Sequence, residues 1–310
     1  MRLCVTGGLG YVGSVLVPKL LALGHYVRVL DCQWFGNYLE PHERLKIIKG
    51  DIRDQTFPIG ATDAIIHLAG IANDPTGELD PKLTWEVNAL ATMQLAVRAV
   101  REGVKQFIYA SSGSVYGVSD EPEVTEDVAL MPLSEYNKTK MVAERVLLSY
   151  ADRMIVQILR PATVCGFSAR QRLDVMVNSL TMQALVKRVI KFNGGEQYRP
   201  NIHIQDMTDL YVWMLDHPHL TGIYNAGFEN LKIKAIAGLV ADRIEAQIIA
   251  APSNDPRSYR INSDKLLATG FKPKKNVSKA IDELIEKYKS GTLRDEPQWH
   301  NLKTMLQRAV

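Results

Sequence analysis

The stretch "TGGLGYVGS", residues 6–14, lies between a short β-rich run and a helical one. Two glycine spacings overlap in it. Gly8, Gly10 and Gly13 fit G-x-G-x-x-G, whereas Gly7, Gly10 and Gly13 fit G-x-x-G-x-x-G. "RLCVTGG" (2–8) reads as a strand, and "YVGSVLVPKLLAL" (11–23) carries a helical pattern that ends at Gly24. An acid, Asp31, closes the next strand-like run, "YVRVLD" (26–31). Strand, glycine turn, helix and distal acid together describe a dinucleotide site. Glycine lets the backbone turn tightly and lets a pyrophosphate approach the N–H groups at a helix start. The carboxylate accepts from ribose hydroxyls and repels a 2′-phosphate, which favours NAD over NADP. The bland alternative, a structural turn followed by a surface acid, leaves the strand–turn–helix context unexplained. Pro18 removes the bond to the Ser14 carbonyl and predicts a kink in the first helix.

The alternation continues outward. "LKIIKGD" (45–51) and "DAIIHLAG" (63–70) read as strands, followed by a long helix over 81–103. "KQFIYASS" (105–112) is strand, "SEYNKTKMVAERVLLSYA" (134–151) helix and "MIVQILRP" (154–161) strand. Strands this apolar are buried on both faces, so the fold class is α/β, a Rossmann-type doubly wound parallel sheet with helices on each side. After Pro161 the alternation weakens: helices are expected over 174–189 and 206–217, around "VIKFNGGEQYRPNIHIQD" (189–206). The reading divides the chain into an NAD-binding domain, 1–165, rejoined by about 202–226, and a smaller mixed α/β substrate-binding domain, 166–201 and 227–290. Residues 291–310 read as an appended tail.

The composition excludes several classes. With 310 residues, 46% hydrophobic and 23% charged, the chain has the balance of an ordinary soluble protein. A net charge of +3 with scattered basic residues argues against a nucleic-acid partner. No apolar run approaches the ~18 residues of a membrane span. Cys4, Cys32 and Cys165 form no C-x-x-C pair and read as reduced thiols of a cytoplasmic protein. The seven histidines show no metal-ligand spacing, so no metal is expected.

A second motif is "YNKTK", Tyr136 to Lys140. Of the 12 tyrosines only Tyr136 has a lysine four positions on, and on a helix i and i+4 share a face. A lysine beside a phenol lowers its pKa and makes it a usable general base. An exposed helix pair would suffice to explain the motif in isolation. Downstream of a dinucleotide fingerprint, and after a strand ending in Ser111-Ser112, the catalytic reading is the stronger one.

These motifs, with "GDIRD", "HLAG", "VNALAT", "YASSGSVYG", "YRPNIHIQD" and "RSYRINSDKLLATGF", resemble the extended short-chain dehydrogenase/reductases that act on nucleotide sugars. The resemblance runs to about residue 285 and selects the Gly7-Gly10-Gly13 spacing. It implies that Tyr11 and Val12 bring backbone to the pyrophosphate and that Asp31 holds the adenosine ribose. Asp51 and Ile52 flank adenine; Leu68, Ala69 and Gly70 line the cofactor; Asn88 supports the active-site backbone. Ser112 bonds the reacting sugar oxygen, Tyr136 moves the proton, and Lys140 holds the nicotinamide ribose and tunes Tyr136. Further substrate contacts are implied at Ser114, Thr163, Asn178, Arg199 and Arg257, the two arginines clamping a diphosphate, with Arg260 as a stand-in for Arg257. His203 and Asp206 are expected to order their segment rather than react. The family also implies a homodimer through helices near 83–101 and 136–150.

A base and a hydride acceptor around a secondary alcohol make a ketone; returning hydride to the other face inverts the carbon. The expected function is therefore NAD-dependent C4 epimerisation of a nucleotide-diphosphate sugar, a UDP-sugar first among candidates. A 4-dehydrogenase or 4-ketoreductase is the alternative within enzymes, and a non-catalytic NAD-binding regulator the alternative outside them. Dehydratases of the family carry Asp-Glu after the serine or threonine, where this chain has Gly113 and Ser114. Family 4-epimerases carry Asn three residues after the sixth-strand arginine, where this chain has Thr163, which offers a hydroxyl rather than an amide.

Overall fold

The computed structural model describes residues 1–54, 56–119, 121–253 and 258–308. The first half runs β1 (Arg2–Thr6), α1 (Gly13–Ala22), β2 (Tyr26–Asp31), β3 (Leu45–Lys49), β4 (Ala64–His67), α2 (Asp74–Gly77) and α3 (Pro81–Trp85). A π-helical turn (Glu86–Leu90), α4 (Ala91–Arg101), β5 (Gln106–Ala110), α5 (Glu135–Leu148) and β6 (Ile155–Pro161) complete it. The second half runs β7 (Thr163–Cys165), α6 (Met176–Lys187), β8 (Val189–Asn193), β9 (Tyr198–His203), α7 (Ile204–Asp216), β10 (Gly222–Ala226) and β11 (Glu229–Lys232). It ends with α8 (Ile233–Ala241), β12 (Gln247–Ala251), α9 (Asp264–Leu267), α10 (Val277–Lys289) and α11 (Asn301–Arg308).

Seven strands form one parallel sheet in the order β10-β6-β5-β4-β1-β2-β3. Alternate side chains explain the apolar runs. Leu3 and Val5 of β1 join the core cluster that includes Leu16 and Leu20 of α1 and Leu210 of α7. Cys4 between them joins the opposite cluster, with Leu95 of α4 and Leu147 of α5. The chain leaves β1 toward β3 and then crosses to β4, so the strand order switches between β1 and β4, where a crevice opens beyond the carboxyl ends.

Several local features depart from the sequence reading. The expected single helix 81–103 is divided, because the π-helical turn buries three successive residues, Val87, Asn88 and Ala89. α1 holds Pro18 within its span, exposed on the helix surface. The tail is not merely appended: α11 lies beside α2, and Met305 packs against the core cluster of β4, α4 and α5. β7 pairs with β9, and β9 with β11, so the small three-stranded sheet begins at Thr163, ahead of the boundary drawn at 165. β10 rejoins the main sheet beside β6.

α5 is fastened to the sheet by a buried ion pair. Arg160 of β6 donates through Nε and Nη2 to Glu144 Oε1 and Oε2 at 3.0 and 2.7 Å, with side chains 2% and 1% exposed. Ser111 Oγ also donates to Glu144, and Arg160 Nη1 donates to the Tyr116 hydroxyl at 2.8 Å. Glu144→Ala strands a guanidinium in the core and should cost roughly 3–5 kcal/mol in urea unfolding. Replacing both partners by apolar residues should cost less than Glu144→Ala alone; equal losses would deny the pairing its role.

Beneath the crevice His67 sits wholly buried, Nδ1 2.5 Å from Thr6 Oγ1 and Nε2 2.8 Å from Thr92 Oγ1. Burial, with the Lys140 charge nearby, lowers its pKa from 6.5 to about 3. Below pH 6.5 the unfolded chain therefore takes up a proton that the folded chain refuses until about pH 3. The stability held above pH 6.5 is lost as pH falls through that window. His67→Gln should flatten the acid side of a plot of unfolding midpoint against pH, whereas a profile parallel to wild type would contradict this.

Candidate active site

The crevice is a cleft of about 500 Å³ lined by the glycine turn, the ends of β2 and β4, the loop after β5, Tyr136, and residues of the smaller lobe. The turn must be glycine at two points. Gly7 has φ +71°, and a Cβ there would meet Ala69 N at 2.5 Å; a Cβ on Gly13 would meet the Gly8 carbonyl oxygen at 2.5 Å. α1 starts without a side-chain cap or an acidic residue in its first turn, leaving its positive end free of competing anions. Asp31 stands at the cleft wall, accepting from Leu9 N at 3.0 Å and Gln33 N at 2.8 Å. Burial raises its pKa, and those two N–H groups partly offset the rise. Glycine turn, uncapped helix start and ribose-height carboxylate fit a dinucleotide. Gly10, Tyr11, Val12, Asp51, Ile52, Leu68, Ala69 and Gly70 also line the cleft. Arg53 holds the Asp51 carboxylate at 2.8 Å and keeps its pKa low. Asn88 lies behind the wall, pairing with the Ile71 main chain at 2.8 and 3.0 Å.

Ser112, Ser114 and Tyr136 meet at one edge. Ser112 Oγ lies 2.7 Å from Ser114 Oγ, and Ser114 Oγ donates to Asn137 Oδ1. Burial raises the Tyr136 phenol's pKa, and the nearby Ser112 hydroxyl pulls it down. Lys140 is buried. Its Nζ donates to the Ala110 carbonyl at 2.8 Å, 6.0 Å from the Tyr136 ring centre and 4.8 Å from that of Tyr109. The Arg172 charge also lowers the phenol's pKa, and Asp74 raises it. Burial brings Lys140 itself down to about 8.

The smaller lobe contributes Thr163 and Arg199 to the cleft, as read from the sequence, and Arg199 Nη1 donates to the Tyr198 carbonyl at 3.1 Å. Asn178 is a correction. It is fully buried, outside the cleft wall, and its amide is spent on Tyr11 OH at 3.0 Å, the Arg172 carbonyl at 2.9 Å and Gly166 N at 3.0 Å. Arg257 lies outside the described residues; Arg260 stacks on Tyr198 at 4.3 Å. His203 pairs with Glu283 at 3.1 Å, and Asp206 accepts from Lys274 N and Lys275 N, so both order their segment.

The sequence reading missed a charged group on the sugar side. Arg172 pairs with Asp174 at 3.0 Å, and Asn73 donates to Asp174 at 3.0 Å. Asp74 accepts from Ser134, the cap of α5, at 2.7 Å. All four line the cleft. No spacing rule finds them, because they come from segments about a hundred residues apart. Among the described residues no cluster of metal-ligating side chains occurs.

Similarity to known proteins points the same way. UDP-glucose 4-epimerase of Lactobacillus helveticus is 28% identical over 324 residues, covering 94% of this chain and 98% of the relative. UDP-glucuronic acid decarboxylase 1 of Danio rerio is 26% identical and covers 92% of this chain and 72% of that one. The crystal structure of Thermus thermophilus UDP-glucose 4-epimerase in complex with NAD superposes with a TM-score of 0.83 at 26% identity, over 93% of this chain and 99% of the other. Residues 3–227 match the NAD dependent epimerase/dehydratase family, and the chain belongs to it.

Proposed function

We propose that the chain is an NAD-dependent 4-epimerase that inverts C4 of a nucleotide-diphosphate sugar, a UDP-sugar, through a 4-keto intermediate. The observation that carries the reading is that Ser112 and Tyr136 stand together on the wall of a cleft that begins at the glycine turn. When bound, NAD takes the hydride from C4 and gives it back. Gly7, Gly10 and Gly13 with the α1 start hold its diphosphate, and Asp31 its adenosine ribose. Tyr136, as phenolate, takes the proton of the C4 hydroxyl while Ser112 donates to the oxygen that becomes the ketone. After the sugar turns over, Tyr136 returns that proton to the same oxygen. Lys140, tied to Ala110, fixes the floor under the phenol and carries a ribose contact. Arg199 faces the sugar nucleotide's diphosphate, with Ser114 and Thr163 toward the sugar.

One observation favours a second reading. Asp74 is a carboxylate on the cleft wall beside Tyr136, and loss of water from a sugar needs such a group. Against it, a side chain at position 113 would strike Ile261 Cδ1 at 2.5 Å and the Pro161 carbonyl at 3.1 Å, so the loop cannot carry the dehydratase carboxylates without moving both. Incubation with UDP-, GDP-, CDP- and dTDP-sugars decides the reaction by mass spectrometry and NMR. An unchanged mass with inverted C4 is expected. Loss of one water would replace the epimerase by a dehydratase, and a change of two hydrogens by a dehydrogenase or reductase.

Tyr136→Phe should retain the fold and NAD while turnover falls by roughly two to four orders of magnitude. Near-native turnover would move the base elsewhere.

The enzyme acts as a homodimer in the cytoplasm. Leu90, Met93 and Val97 stand 45%, 37% and 46% exposed on the expected helix face, whereas Leu95 is buried against its own sheet. The free thiols Cys4, Cys32 and Cys165 suit a reducing compartment, and no helix among the described residues is long and apolar enough to cross a membrane. Light scattering at micromolar concentration should give twice the chain mass of 34.7 kDa, and the monomer mass would overturn the pairing.

A further inference from the structure

We propose that residues 297–308 form a strap over the adenosine half of the cofactor cleft, and that bound NAD exchanges only when this strap lifts. The proposal rests on the cleft being the cofactor's seat. Asn301 and Met305 of α11 belong to the cleft wall. Met305 also packs against the core cluster that holds Leu30, Ile52 and Val87, which line the same wall.

Two anchors hold the strap, both on the segments around 35–38 and 170–173. The Trp299 ring meets the Tyr38 ring with centroids 5.2 Å apart, and the Trp299 carbonyl accepts from Leu173 N at 2.8 Å. Asn301, 5% exposed, accepts from Arg170 Nη2 at 2.6 Å. Arg170 is 1% exposed and stacks on Phe35 at 4.0 Å, and its Nε is buried with no partner among the described residues. Burial, with Arg172 nearby, lowers the Arg170 guanidinium to about 9. It also stands close enough to Asp31 for each to act on the other's charge.

A buried cation short of acceptors is stabilised by an anionic ligand beside it. The Asn301 bond ties that cation to α11, so occupancy of the cleft and closure of the strap favour each other. One ring contact, one main-chain hydrogen bond, the Met305 packing and one buried charged hydrogen bond can open as a local unit while the sheet stays folded. In the proposed reaction NAD is regenerated each cycle, so slow exchange does not limit turnover.

The test follows release of NAD from the loaded protein after a chase with excess labelled NAD. Asn301→Ala removes a hydrogen bond to a charged group and should speed release about tenfold. Trp299→Ala, whose side chain anchors the strap on Tyr38, should do the same. Asn301→Asp keeps an acceptor for Arg170 and should release no faster than wild type. Melting temperature in saturating NAD should stay within a few degrees of wild type, which separates strap opening from general loosening. Asp31→Ala serves as the control on the cleft. If it binds NAD as wild type does, the cofactor reading fails and the strap with it. If Asp31→Ala weakens NAD but Asn301→Ala releases at the wild-type rate, the strap alone is overturned. Should Asn301→Ala not fold, Trp299→Ala, whose side chain lies off the cleft wall and anchors the strap on Tyr38, decides: faster release supports the strap and an unchanged rate overturns it.

Discussion

The buried pairing of Glu144 with Arg160 is the constraint on which the site depends. Tyr136, Lys140 and Glu144 recur every fourth residue on α5 and so share one stripe of the helix. Only the last of the three is locked to another element by a buried ion pair, at 2.7 Å to Arg160 of β6. That lock fixes the rotation of the whole stripe. Through Ser111 it also fixes the end of β5, and Ser112 follows directly. Through Tyr116, which donates to Asn225 at 2.8 Å, it reaches β10 at the sheet edge. The candidate proton carrier and its serine are thereby held by one network whose charges are satisfied away from water. Such a network is costly to break and geometrically exact in what it allows.

A second set of bonds joins the two lobes across the cofactor cleft. The Tyr11 hydroxyl donates to the Gly166 carbonyl at 2.8 Å, and Ser168 Oγ donates to the Tyr11 carbonyl at 2.8 Å. Asn178 bonds Tyr11, Gly166 and the Arg172 carbonyl, so it shapes the 166–172 loop from behind. The glycine turn is therefore coupled to the loop that presents Arg170 and Arg172. A change at Asn178 would reach the cleft through loop geometry rather than through a lost contact.

The wall around Tyr136 mixes polar and charged groups from distant segments: Asn73 and Asp74 before α3, Arg172 and Asp174 after β7. Asn73 holds φ +78°, an uncommon backbone state for a residue with a side chain. Its side chain both caps α2 through Thr76 N at 3.0 Å and binds Asp174 at 3.0 Å. The strained residue thus sits where one lobe meets the other beside the expected sugar position, as strained residues often do at functional sites.

The local spacing of the chain determined the sheet, the glycine turn, Asp31 and the Tyr136–Lys140 stripe. Each is set by contacts between near neighbours: alternation in a buried strand, φ at Gly7, i and i+4 on a helix. What Lys140 and Asn178 do was decided by tertiary structure, because both are buried polar groups that must take whatever acceptor the fold brings near. The Lys140 ammonium finds Ala110, 30 residues back, and Asn178 finds Tyr11, 167 residues back. The role of residues 291–308 was likewise invisible in sequence, since "PQWHNLKTM" carries no motif and its meaning lies in Tyr38, Leu173 and Arg170 across the cleft. Periodicity reports which face of an element is buried. It does not report which distant element buries it, and at this site that second fact decides which side chains stand around the cofactor and the sugar.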